Sequence, residues 1–576
     1  MKNMYKNILL VIVVSCSGLQ MLAQEKVEKF SITGAARSML FGDDLQLESE
    51  QQDTVTNRKL SSGHVLVDLG MAIRPNKNME VLGTLRIRND FGGFWGAGTT
   101  LDLRQLFVKG VVARKVRYQI GDINYKLSPY TLYNSDHETT FGSVHAFTSF
   151  SDIVEYDNFY DLENTWRQQG AAVDFGLEFK EFIEQIKFGL FTSRIRATDF
   201  AQNSERLFSS LNIGIVQSEF LELGLIYAET YDWYGTSRNP ATFHNPVISG
   251  MASLKMERAK WLYKTDAEIG SSRQNYRRTD EDPDISGGFV DAKLSASNKK
   301  TGIKAIIGFK SVEADFRSPG AQTKRINFNT YPDAYQRVTN DQVLRVFTMY
   351  DLLRESDLYN RQLSTTLMAF DPRYDNITPY GDATPNRSGY SLGIMSDSED
   401  KFYRVAFNYA NLSELRGQGT EELRKFSRLQ AEGTIFGNKL LKNYSKRLEL
   451  VGAFRNDHTS RAELEGVPNV DLTTVILNLG LRVETVKDLD LIAGIQNMSY
   501  QGSDFLAARN TFDEVVYFDE YVIDGSEIMT GLGIRYNFSA TDFVSVQWNN
   551  FKSTNTEDIV PDYDINQLAI LYTMKF

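Results

Sequence analysis

Arg86 and Arg88 stand two residues apart, and Arg104 and Arg117 follow on the next alternating segments of the chain. A guanidinium stays charged at physiological pH and presents a planar fork of donors that suits carboxylates, phosphates and hydroxyls. Four of them on one surface, with Asp102 the one acid that clearly shares the patch, would favour anionic or hydroxylated solutes, as rings of charge do along a solute path. Further bases of matching parity include Arg428, Arg482 and Arg535, and acids include Asp174, Glu222 and Glu449. The plainer reading pairs the arginines with such acids, or with acidic segments folded against them, because buried charges normally find partners.

Other chemistry is thinly supplied. Asp280, Glu281, Asp282 and Asp284 offer the oxygens calcium prefers, but the glycine and terminal glutamate of an EF-hand loop are missing. A solvated acidic loop is therefore expected. Asp136-His137-Glu138 sets a lone imidazole between two acids, which is weak material for a metal. Five His and one Cys in the whole chain leave little for zinc. There is no Gly-x-Ser-x-Gly, no phosphate-binding loop and no His-Glu-x-x-His. The glycine-rich run from Gly92 to Gly98 lies between two strand-like segments, not between strand and helix. The expectation is no catalytic residue, no metal and no cofactor. The formal charge of −11 disfavours a nucleic-acid partner.

Two long connections are not simply polar. In Glu313–Asn386, the stretch Asn340–Tyr359 places Val343, Leu344, Phe347, Tyr350, Leu353 and Leu358 near helical spacing, with Asn340 an acceptable N-cap. Such a helix either folds inward and constricts a lumen, with Val343, Phe347 and Tyr350 as its contacts, or lies on an outer rim under a partner protein. Leu127–Gln168 carries Phe141, Phe147, Phe150, Phe159, Tyr160 and Trp166, too many rings for a solvated tail.

The elements that position these groups follow from composition and periodicity. Charged residues make up 24% of the 576, aromatics 12%, and 41 Gly stand against 12 Pro. With a mean hydropathy of −0.34, and no apolar run near ~20 residues beyond the N-terminus, this is not a bundle of membrane helices. Apolar and polar residues instead alternate with period two in segments of roughly ten residues. Val65–Ile73, Val81–Asn89, Val173–Phe179, Leu221–Tyr227, Ile303–Phe309, Leu448–Phe454, Val475–Val483 and Leu532–Phe538 are clear cases. Connections alternate too. Short ones such as Pro75–Asn78, Ala113-Arg114 and Ser539–Thr541 separate long ones such as Gly42–Ser62, Gln274–Ser286 and Ser503–Glu527. No fixed repeat length marks a solenoid or propeller.

The N-terminus reads as an export signal. Lys2 and Lys6 precede an apolar Ile8–Val14 and a small residue at Ala23, so cleavage is expected near Ala23 or Gln24. Residues 1–24 are then a signal peptide and 25–576 a single domain, with a formal charge of −13 once Lys2 and Lys6 are gone. A lipoprotein signal using Cys16 is the competing reading, with a short apolar stretch and Ser15 before the cysteine.

The last residues, Gln567 to Phe576, put Leu568, Ile570, Tyr572, Met574 and Phe576 on one face of a strand. A final Phe with Tyr four residues earlier resembles the terminal strand signal of bacterial outer-membrane β-barrel (porin-like) proteins. The resemblance implies that Tyr572, Met574 and Phe576 close the barrel and are read by the barrel-assembly machinery. Ile120-Gly121-Asp122-Ile123-Asn124-Tyr125, followed by Ser128-Pro129-Tyr130-Thr131-Leu132-Tyr133-Asn134, resembles an uncharacterised Bacteroidetes-type outer-membrane protein family.

The fold expected is all-β: a transmembrane antiparallel up-and-down barrel of about 22 strands (roughly 18–24) with long extracellular loops and short periplasmic turns. Parity then sends Val475, Leu477, Leu479, Leu481 and Val483 to lipid, and Thr474, Asn478, Gly480, Arg482 and Glu484 to the lumen, where the four arginines also belong. The function expected is a porin-like channel for hydrophilic solutes with loops constricting its lumen. The alternative is a non-transporting subunit or scaffold that docks surface lipoproteins or serves an assembly or secretion machine. A TonB-driven transporter would need a plug ahead of a first strand that begins near Phe30. Outer-membrane lipid and the assembly machinery are the expected partners, with surface lipoproteins or other outer-membrane proteins as further ones.

Overall fold

The computed structural model describes residues 29–47, 58–92, 98–132, 142, 144–158, 168–201, 204–233, 242–277, 284–322, 348, 350–354, 370–396, 400–418, 420–441, 445–464, 469–510, 515–556 and 562–576. The expected export signal lies outside them, as do Asp136–Glu138 and Asp280–Asp282.

Twenty-two strands follow one another. They are β1 Phe30–Leu47, β2 Arg58–Asn76, β3 Met79–Asp90, β4 Thr99–Val112, β5 Val116–Ile123, β6 Gln168–Glu178, β7 Gln185–Arg196 and β8 Arg206–Val216. Next come β9 Leu221–Asp232, β10 Thr242–Arg258, β11 Trp261–Arg277, β12 Ile285–Asn298, β13 Ile303–Val312, β14 Arg387–Ser396 and β15 Tyr403–Ser413. The series ends with β16 Lys425–Phe436, β17 Leu448–Arg461, β18 Val470–Val486, β19 Leu489–Arg509, β20 Val515–Asn537, β21 Phe543–Asn555 and β22 Tyr563–Lys575. Each strand pairs antiparallel with the next in sequence. β22 pairs with β1, from Ala35↔Lys575 to Leu47↔Tyr563, so the sheet is a closed 22-strand barrel.

The seam is finished by the last residue. Gly34 N–H donates to the Phe576 carbonyl at 2.7 Å, and Phe576 N–H donates back at 3.0 Å. The Phe576 ring lies 2.5 Å from where a Cβ on Gly34 would stand, so a side chain there would expel it.

Parity holds along the wall. On β18, Leu477 and Leu479 are 44% and 46% exposed on the outside, while Asn478 between them is 3% exposed and faces inward. On β22, Leu568, Ile570, Tyr572 and Phe576 face outward, and Gln567, Ala569 and Leu571 are buried on the inner side. Exposed rings gather near the short turns, with Phe179, Phe182, Phe220, Phe402, Phe538 and Phe576 at that end and Phe91, Phe200 and Trp233 at the other. These are the two girdles of a lipid-spanning barrel. The three-residue turn Ala113–Lys115 joins β4 to β5, with Ala113 and Arg114 at positive φ (52° and 60°) and Lys115 N–H donating to the Val112 carbonyl at 3.1 Å, the primed-turn twist that hairpins favour.

Several segments expected as loops are strand. Ser503–Glu527 continues the β19–β20 ladder through Ser503↔Val522 as far as Arg509↔Val515. Gly42–Ser62 is partly paired, as in Gly42↔Ser61 and Leu45↔Arg58. β19 and β20 run 21 and 23 residues, where crossing lipid takes ~9–11. Beyond the hydrocarbon the outer face meets water, so alternation fades while backbone pairing goes on. Periodicity therefore reports lipid contact and not strand length.

Leu479→Arg should put a charge into lipid at a cost of roughly 2–4 kcal/mol and lower the yield of heat-modifiable folded barrel. Asn478→Arg should assemble more fully, disturbing only what packs inside. Equal yields of the two variants from a membrane-insertion assay would contradict the parity.

Candidate functional site

Barrel width grows with strand number, and side chains on the wall fill only a ring of about eight strands. A 22-strand lumen needs something more, and both long connections supply it by folding inward.

The first connection leaves β5 and descends along the wall of β7–β12. The Tyr125 hydroxyl donates to Asn212 Oδ1 at 2.8 Å, and its ring stacks on Phe191 with centroids 4.5 Å apart. Ser128 Oγ donates to Glu268 at 2.7 Å. The Tyr130 hydroxyl donates to Asp291 at 2.7 Å, and its ring stacks on Phe289 at 4.1 Å.

The chain then crosses to the opposite wall and forms α1, His145–Asn158. Its seat is a row of glycines. Gly480 pairs with Gly494, and Gly494 with Gly531, across β18, β19 and β20. A Cβ on Gly494 would stand 2.3 Å from Val144 Cγ1, and one on Gly531 would stand 2.8 Å from the Phe147 ring. Gln547 Nε2 donates to the Ala146 carbonyl at 2.7 Å, and His145 Nε2 lies 2.7 Å from Glu449. Val144, Phe147 and Val154 are fully buried in one cluster with Met498, Met529 and Phe551 of the wall.

The far end of α1 meets the arginines. Arg86 makes a two-pronged bond to Asp68 at 2.8 and 2.7 Å. The Tyr156 hydroxyl donates to the same carboxylate at 2.5 Å, and Arg104 lies 4.1 Å over the Tyr156 ring. Burial, and then the Asp68 charge, push the Tyr156 phenol up to about 12, so it remains a donor. Arg88 pairs with Asp90 at 2.7 Å and Arg117 with Asp174 at 2.5 Å. Asp102 sits cross-strand from Arg86, but the carboxylate that grips Arg86 is Asp68. A bulge makes Arg104 the extra residue of β4, because Leu103 opposes Leu85 and Gln105 opposes Thr84. The structure thus brings Arg86 and Arg104 together around Tyr156, with Arg88 and Arg117 in separate pairs.

The second connection, between β13 and β14, lies above α1, toward the long-loop end. Phe316 is buried edge-on against Phe289 at 5.1 Å. Among the described residues of Asn340–Tyr359, helix covers only α2, Asp351–Arg354. Val343 and Phe347 lie outside the described residues. Tyr350 and Leu353 are buried in the cluster with Met529, Phe551 and Ile565, so Tyr350 anchors the loop to the wall. The Tyr374 hydroxyl donates to Glu527 at 3.2 Å, and Asn376 Nδ2 donates to Asp504 at 2.7 Å. On its return the loop passes Asp382 between Lys310 at 3.2 Å and Lys293 at 3.5 Å. The Lys310 ammonium, with Lys293, holds that carboxyl well below the usual range.

A cavity of about 340 Å³ lies between residues 126–130 and the wall of β7–β12 near the short-turn end. Polarity of the lining was legible from parity. The Gly480–Gly494–Gly531 seat has one signal in the sequence, since glycine inside a strand often marks a close approach.

No family model and no curated protein matches the chain. Among solved structures it is similar to the P pilus usher (PapC) translocation pore, at 7% identity over 94% of this chain and all of that one, with a TM-score of 0.34. It is also similar to Pseudomonas aeruginosa OpdK with vanillate, at 10% identity over 95% and 99% of the two chains, TM-score 0.33. A BenF-like porin from Pseudomonas fluorescens Pf-5 is similar at 9% identity over 95% and 99%, TM-score 0.32.

Gly494→Val should dislodge α1 at a cost of about 1–3 kcal/mol from overpacking. Faster hydrogen exchange or protease cleavage across 144–158 would report it. Gly250→Val is the control, since an added Cβ there meets nothing within 4 Å. Because the Asp382 carboxyl is depressed, its contribution is complete above about pH 4 and is lost as pH falls through its lower folded value. Amide protection across 370–386, taken relative to the intrinsic exchange rate at each pH, should stay flat from about pH 7 to about pH 4 and fall below. A loss of that protection already between about pH 7 and pH 5 would contradict the tie.

Proposed function

We propose that this chain is an outer-membrane, porin-like channel for hydrophilic solutes, narrowed by two inward connections. The observation that carries the reading is the inner wall itself. Around the whole circumference it presents charged and amide side chains, among them Asp68, Arg206, Asp291, Asp457, Gln496 and Asn549, while the outside is apolar. A wall so costly to line with charge serves water and polar solutes, where an inert plugged barrel could be lined with apolar groups. Transport, with no catalysis, is the corresponding activity. The outward Tyr572, Met574 and Phe576 on the closing strand suit a signal read by the assembly machinery, and the N-terminal segment suits export. The looser likeness to a Bacteroidetes-type family adds no activity.

The rival reading, a non-transporting subunit or scaffold docking surface lipoproteins or other outer-membrane proteins, draws on one feature. Tyr350, Leu353, Phe147 and Phe150 tie both connections to the wall through a large apolar cluster, which suits a permanent plug.

Planar-bilayer recording on the full chain separates the two. The channel reading expects discrete conductance steps that grow when 142–158 are replaced by a short linker. Silence in both forms, with a stoichiometric partner in native-membrane purifications, would sink it.

A further inference from the structure

The cavity beside β7–β12 has a composition that points to a ligand. One cross-strand row of the inner wall reads Lys187, Gly214, Gly224, Met251, Glu268 and Asp291. The two glycines open the space. An added Cβ on Gly214 finds only Lys187 Cβ, at 3.7 Å. Leu127 and Tyr130 of the first connection form its roof.

Charges around it are nearly all spoken for. Lys255 pairs with Glu222 Oε1 at 2.8 Å, Lys264 with Asp266 at 2.7 Å and Lys293 with Asp291 at 3.1 Å. Glu268 accepts from Ser128 and Asp291 from Tyr130. Two groups are left over. Lys187 is half-buried and makes no ion pair or hydrogen bond with any described residue, the charge of Glu222 reaching it only at longer range. Glu222 Oε2 is buried and has no hydrogen-bond partner among the described residues. An ammonium with no direct contact among the described residues has room for an anion, and a buried carboxylate oxygen without a hydrogen bond calls for a donor, since leaving either unmade is costly.

We propose that this cavity is a binding station for a small hydroxycarboxylate of about monosaccharide size. Its carboxylate meets Lys187, and a hydroxyl donates to Glu222 Oε2. The volume is at the lower end of small-molecule sites, roughly 300–1,000 Å³. Leu127 and Met251 supply the apolar contact that a sugar ring or short carbon chain needs. The proposal rests on the channel reading and deepens it by naming a solute class.

The test uses the full chain folded in detergent, with glucuronate and glucose as probes and binding followed by saturation-transfer NMR. Glucuronate should bind about tenfold more tightly than glucose, the effect of one hydrogen-bonded charge. Lys187→Gln should bring the two probes within about twofold, and Lys187→Arg should restore part of the preference. Glu222→Gln should weaken both probes. Heat-modifiable mobility in gels reports that each variant is a folded barrel. Equal binding of the two probes by the unaltered protein, no glucuronate binding, or a preference unchanged in Lys187→Gln would overturn the proposal. Conductance without this binding fails the site and leaves the channel. Binding without conductance does the reverse.

Discussion

An amide in hydrocarbon has no water to bond, so each N–H and C=O of a lipid-facing strand needs a partner on a neighbouring strand. An open sheet always leaves two edges bare. Pairing β1 with β22 removes both. From this closure follows the rest: side chains sort to two faces, the outer one is apolar because it meets lipid, and whatever is polar is sent inside. Asp68 with Arg86, and Asp232 with Arg206, are ion pairs that would be expensive in lipid and are at home on the inner wall.

Closure with 22 strands creates a second demand, because the wall is too wide to fill its own interior. Two connections meet it unevenly. The wall of β17–β22 receives α1 on its glycine seat and Tyr350 with Leu353 above. The wall of β7–β12 receives Ser128 and Tyr130 of the first connection and Phe316 and Asp382 of the second, with a cavity of about 340 Å³ left beside it near the short turns. Both walls therefore carry packed loop residues, and the space beside β7–β12 lies nearer the short turns.

Much of the wall was legible in the sequence because lipid enforces alternation. Leu477, Asn478 and Leu479 announce their faces without help. Legibility ended where lipid ended: the upper parts of β19 and β20 stay paired but face water on the outside, so β-prone residues such as Val516, Tyr517 and Val522 do not alternate there with polar ones. The arginines were visible as a patch, and Asp174, the partner of Arg117, among the acids, but the partners of Arg86 were not. Asp68 lies on the neighbouring strand and Tyr156 arrives from a helix remote in sequence, so neither follows from spacing. The Lys187 cavity was beyond reach for a related reason. That Lys187 has no direct contact among the described residues depends on what the neighbouring groups have already taken, which spacing along the chain does not tell.

The seam has a kinetic meaning. All other strand pairs join neighbours in sequence and can zip as the chain arrives, but Ala35 and Lys575 meet from opposite ends. The entropy of closing so long a loop grows only with the logarithm of its length, so closure is not thermodynamically forbidding. Its burden is waiting time: until the final strand is delivered, two bare edges stay open to pairing with other chains. The vulnerable moment for this molecule is thus the interval before closure, and escape from aggregation depends on how briefly that interval lasts.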